Sequence, residues 1–227
     1  METQISNKKM VLLLLAGILG CLCMGASDWL MIYGDTAFEG SLAWLTVGVA
    51  AIAPWRFSVA MMLAFPAVVF YSLGLYCLRH FFREETQKKT YCALTSLGMT
   101  PWLCLHLFYV MILFSFSWLN GNGQGELALT LGETLFHQLG WVVMVGQIFM
   151  ILPFLYLLYV FFTVKTNFPR LMAANNPLVI YLVLKAFTGL LPDTPFRLAF
   201  INGLMSESML ICFAVFLIVM LRTSRKR

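Results

Sequence analysis

Apolar residues run along this chain in blocks too long and too continuous for a soluble core. Six stretches could each cross a hydrocarbon core of ~30 Å: residues 10–33, 57–79, 91–119, 135–164, 177–192 and 198–221. The polar residues between them gather in short pieces. "RHFFREETQKKT" (79–90) reads as a solvated turn, and "NGNGQGE" (120–126) as a loop rich in Gly and Asn. The pattern predicts an all-α fold, a polytopic membrane protein built as a six-transmembrane-helix bundle. The segment "SLAWLTVGVAAIAPW" (41–55) is apolar but short, and reads as an interfacial or re-entrant helix over the bundle, stopped by Pro54. Pro66, Pro101 and Pro153 fall inside spans, where neighbouring helices can satisfy the freed carbonyls. "APWR" and "TPWL" share only a Pro-Trp pair, and Pro-rich, Ser-rich or acidic linkers are absent. Residues 1–227 therefore read as one transmembrane domain.

Composition fixes the solvent. The chain is 61% hydrophobic and 11% charged, with a mean hydropathy of +0.85, whereas soluble domains are about 45–50% apolar and roughly 25% charged. Too little polar surface remains to face water, so the chain is read as integral to a membrane.

Charge then orients the spans. With the N-terminus inside, the inner pieces hold Lys8, Lys9, Arg79, Arg83, Lys88, Lys89, Lys165, Arg170, Arg222, Arg225, Lys226 and Arg227, while the outer pieces hold only Arg56 and Arg197. That asymmetry predicts two cytoplasmic termini. The net +5 is thus a topology signal, and nucleic acid is not an expected partner, since no basic groove interleaved with aromatics is present. "NKKMVLLLLAGILGC" imitates a secretory or lipoprotein signal. Leu19 fits poorly where a small residue is wanted and the chain after Cys21 stays apolar, so the first span is read as uncleaved. None of the six cysteines falls in an outer loop, so no disulfide framework is expected.

The candidate chemistry lies in the few polar residues at membrane depth, which are expensive and usually kept for a task. Gly17, Cys21, Asp28 and Asp35 share one stripe of the first span at ~100° per residue, so Asp28 is expected to face the bundle interior. His106 follows Trp102 by about one turn, and His137 sits between Glu133 and Trp141 at i−4 and i+4. Asn202, Ser206 and Glu207 share an arc of ~140° on the sixth span. Lys185 and Glu207 both fall near the midplane and suggest an intramembrane ion pair. Asp28, Asp35, Arg56, His106, His137, Arg197, Asn202, Ser206 and Glu207 all lie in the outer half, and the inner half looks almost wholly apolar. An outward-facing polar pocket follows, with Trp102 and Trp141 among its ligand-binding residues.

Two chemistries come into question for such a pocket. Asp28, His106, His137 and Glu207 could supply metal ligands, but HExxH and HxxxH spacings are absent, so no metal and no cofactor is expected. Acid–base chemistry asks less: a His and a carboxylate in a dry cavity can transfer a proton on a lipid-like substrate. Asp28, His106, His137 and Glu207 are the candidate catalytic residues. Ser27, Ser206 and Ser208 sit in no GxSxG context, which makes a nucleophilic serine a weak reading.

The strings "GASDWLMIYGD", "IAPWR", "TPWLCLHLFY", "NPLVIY" and "NGLMSESML" resemble a family of small bacterial integral-membrane proteins with no assigned function. The resemblance runs over nearly the whole chain. It implies a multi-pass protein of a bacterial inner membrane and nothing about activity. A Gly-Asp within an apolar helix is also loosely similar to lysoplasmalogenase-type lipid hydrolases, which have more spans, so no residue is carried across. With three histidines, the multi-His zinc membrane hydrolases are a poor match. Two function classes stay open: a lipid-modifying enzyme, or a receptor, carrier or accessory protein that binds a small lipid-like ligand. Membrane lipids are the expected partners of either.

Overall fold

A computed structural model describes residues 6–32, 47–163, 166 and 168–224. Within them the fold is all-helical. Its helices are α1 (Asn7–Ile32), α2 (Pro54–Cys77), α3 (Glu85–Leu97), α4 (Met99–Gly121), α5 (Gly125–Phe162), α6 (Pro177–Thr188) and α7 (Pro195–Ser224). Five helical stretches are long and apolar enough to cross a membrane: α1, α2, α3 running into α4, α5, and α7.

The fifth expected span is different. In place of a helix over 177–192, α6 has only 12 residues, ~18 Å of rise against a core of ~30 Å. Asn176 caps it, its Oδ1 accepting from the Leu178 backbone N–H at 2.9 Å, and Pro177 stands at the first helical position, where a missing N–H costs nothing. This start is not at the surface. Asn176 Nδ2 donates to the Phe154 carbonyl of α5 at 2.8 Å, and Asn175 Nδ2 to the Cys212 carbonyl of α7 at 3.0 Å. Phe154 lies ~12 Å along α5 from its inner end. Before it, Thr166 bridges Phe82 and Phe168 packs edge-on against Phe81 and Phe216. The chain therefore turns back into the bundle after α5, and α6 begins partway through it.

Two other expectations shift. Pro54 does not stop a helix but opens α2, which carries Trp55 and Arg56 in its first turn. Of the segment 41–55, a single 3-10 turn, Val47–Ala51, precedes it; residues 33–46, including Asp35, lie outside the described residues. The inner half is also less apolar than its charges suggest. Asn175, Asn176, Gln87, Tyr91 and Thr166 are buried there, because amides and hydroxyls that could sit in a solvated turn fold inward instead.

α1 is the central helix, packed along α2 and α7. The contact with α2 is close enough that a Cβ on Gly17 would come within 2.8 Å of the Gly74 Cα, the approach that small residues permit between membrane helices. Around it Tyr71 meets Phe213 edge-on and Phe81 stacks on Phe216 at 5.0 Å. A second cluster near the outer end joins Met31, Ile32, Val49, Ile52, Phe57, Leu113 and Phe116. α4 and α5 form an antiparallel pair beside this core, and most of α5 stays exposed.

Candidate functional site

Toward the Ile32 end of α1 lie two polar groups. Toward α4, Ser27, Asp28 and His106 form a chain. Ser27 Oγ lies 3.4 Å from His106 Nε2, and Asp28 Oδ1 lies 3.5 Å from His106 Nδ1. Both distances are at the long end of hydrogen bonding. One tautomer serves both contacts: Nδ1–H donates to the carboxylate, leaving Nε2 to accept from the serine hydroxyl. The three side chains are sequestered, Ser27 at 0% exposure and Asp28 at 8%. None of them is among the residues that line the groove between α1, α2 and α7.

This open groove of about 890 Å³ runs between α1, α2 and α7. Cys21, Leu22, Leu30 and Leu210 make its apolar length, and Trp29, Trp55, Arg56, Phe196, Ser206 and Glu207 gather at its polar part. Trp29 organises that part. Its Nε1–H donates to Glu207 Oε1 at 3.3 Å, its ring meets Phe196 edge-on at 5.4 Å, and its carbonyl accepts from Arg56 Nη2 at 3.4 Å. Gly203 leaves room for this contact, since a Cβ would fall 3.0 Å from both Trp29 Nε1 and Glu207 Oε1 and those side-chain ends would have to give. Glu207 Oε2 is buried and has no hydrogen-bond partner among the described residues.

The structure thus brings Asp28 to His106, and Arg56, Ser206 and Glu207 to one groove. Other expected site residues stand elsewhere. His137 is exposed on α5, with Trp141 exposed nearby. Trp102 packs beside Gly146 between α4 and α5. Arg197 pairs with Asp193 at 2.6 Å, and Asn202 is exposed and donates to the Leu198 carbonyl. The Lys185–Glu207 pair does not form: Lys185 is exposed with its Nζ 5.9 Å from the Tyr181 ring centre, while Glu207 turns to Trp29. Equal depth brought those two together on paper, but α6 turns its lysine outward.

Sequence reasoning missed Trp29, Trp55, Phe196 and the role of Gly203. The available signal was Trp29 next to Asp28 at the outer end of a span, a position that aromatic residues favour. Among the described residues no three His, Cys, Asp or Glu side chains converge on a point that could hold a metal ion. No curated protein and no solved structure matches the chain. Its match is to a family, over residues 1–223: the chain belongs to DUF6796, a family of unknown function.

Proposed function

We propose that this protein binds an amphipathic, lipid-like ligand in the groove between α1, α2 and α7, with the acyl part along Leu22, Leu30 and Leu210 and the headgroup between Arg56 and Glu207. The observation that carries this reading is the unpartnered Glu207 Oε2 at the polar part of an otherwise apolar trough. A buried acceptor left without a donor costs about 1–3 kcal/mol, and a ligand ammonium or hydroxyl relieves it. Arg56 suits the phosphate of the same headgroup, because a guanidinium offers several donors to an oxyanion. A zwitterionic headgroup satisfies both ends.

Binding is favoured over catalysis because Ser27, Asp28 and His106 are engaged with one another and are not among the residues that line the groove. The enzymatic reading, a lipid-modifying acid–base site, keeps one observation in its favour: the hydroxyl–imidazole–carboxylate order of Ser27, His106 and Asp28 is the order used in acyl transfer.

In this reading the chain crosses the membrane six times, its termini in the cytoplasm of a bacterial cell. The segment from Phe168 through α6 supplies the fifth crossing, since the depth of Asn176 and the length of α6 together measure ~30 Å. The test is titration of the purified protein in nanodiscs with brominated phosphatidylethanolamine, following tryptophan quenching. Saturable quenching that weakens about tenfold or more in Glu207→Gln supports the proposal. Quenching that neither saturates nor responds to Glu207→Gln and Arg56→Gln removes it.

A further inference from the structure

α5 carries polar residues where a lipid-facing helix should have none. At 100° per residue, Glu126, Glu133, His137, Met144 and Gln147 fall within ~80° of one another, and all are exposed. Glu133, His137 and Gln147 make no hydrogen bond or ion pair with any described residue. Gln147 is ~23 Å from the inner end of α5 and ~33 Å from the outer end, on a helix long and apolar enough to cross a membrane. At that depth the Gln147 amide faces hydrocarbon with no water to satisfy it, while Glu133 and His137, ~43 and ~38 Å from the inner end, lie beyond the ~30 Å core at the headgroup level.

We propose that this face of α5 is a self-association surface, and that its occupant is α5 of a second copy of this chain. The argument is complementarity at equal depth. Two copies with the same topology pair about an axis along the membrane normal, so each residue meets its own depth on the other copy. The Gln147 amide is both donor and acceptor, and therefore complements itself. One turn separates Glu133 from His137, so the carboxylate of each copy can reach the imidazole of the other. Between them Gly140 leaves a notch: a Cβ there would meet only the Phe136 ring, at 3.5 Å or more, and small residues let two membrane helices approach closely. A partner of other composition would need to match three polar residues at three depths; a second copy does so by symmetry.

The test uses the full chain in liposomes, with donor- and acceptor-labelled protein diluted into increasing lipid. Energy transfer above the random-proximity level is expected, with the dilution midpoint moved at least tenfold toward monomer in Gln147→Leu. In a Cys104→Ser background, Met144→Cys should form an oxidative cross-linked dimer and Leu139→Cys, ~140° away on the same helix, should not. Transfer no greater than random, equal cross-linking at both positions, or an unmoved midpoint in Gln147→Leu would overturn the proposal. So would cross-linking of Met144→Cys in native membranes to a different protein with no homodimer.

Discussion

Asp28 Oδ1 and His106 Nδ1 stand 3.5 Å apart, joining α1 to α4 through the interior of the bundle. The aspartate closes an otherwise apolar face of α1 that also buries Met24 and Met31. Alone it would be a costly placement; the imidazole and the Ser27 hydroxyl account for it. Removing either member strands the other away from water, at about 1–3 kcal/mol. Asp28→Leu and His106→Leu are each expected to destabilise the protein by that amount in detergent unfolding. The double variant should cost less than the sum, with a coupling of about 0.5–3 kcal/mol. Additive losses would show that the contact carries no energy.

Asn176 performs two tasks with one amide, capping α6 through Oδ1 and holding the Phe154 carbonyl through Nδ2. Asn176→Leu loses both bonds, while the Phe154 carbonyl keeps its helical partner within α5, so a loss of about 1–3 kcal/mol is expected from the cap and the missing hydrogen bond together. Asn176→Ser keeps a capping oxygen on a side chain too short for Phe154, and should lose about half as much. Equal losses in the two variants, measured by thermal unfolding, would mean that the bond to Phe154 contributes nothing.

These two contacts also show what the sequence could and could not reveal. Hydropathy alone located α1, α2, α4, α5 and α7 to within a few residues at most ends, because in lipid the length of an apolar run is itself the structural requirement. "NNP" was opaque. Adjacent asparagines before a proline fit a surface turn as well as a buried cap, and only the Phe154 and Cys212 carbonyls decide between them. His106 and His137 were equally opaque. Both lie on helices apolar all round, so nothing in the pattern says which face meets protein and which meets lipid. The first turned out to face Asp28, the second to face outward. Depth can be counted from sequence; azimuth on such helices comes from neighbours.

Glu207 and Lys185 illustrate the same limit and give a prediction of opposite sign to the one equal depth suggests. Lys185 is exposed beside Tyr181, so Lys185→Met should change stability by no more than ~0.5 kcal/mol. Glu207→Leu strands the Trp29 indole N–H and should cost about 1–3 kcal/mol, accompanied by a shift in tryptophan emission. The two changes should add. A non-additive double variant would require a Lys185–Glu207 contact that this arrangement does not contain.

Whether the segment from Phe168 through α6 crosses the rest of the membrane decides where the chain ends. Asn176 sits ~12 Å in from the inner end of α5, and α6 rises ~18 Å further, enough to bring the turn at 189–194 to the outer surface. α7 then returns inward with Arg222 in its last turn, as the positive-inside bias requires. Reporters active only in the cytoplasm are therefore expected to give signal at Arg227 and within 83–90, and none at 120–126 or 189–194. The decisive position is Arg227. With the five long helices as the only crossings, it would lie on the opposite side from Lys8 and Lys9; with the re-entrant segment completing a sixth, all three lie on one side. Signal at 189–194 with none at Arg227 would leave α6 a half-helix that enters the bundle and never leaves it.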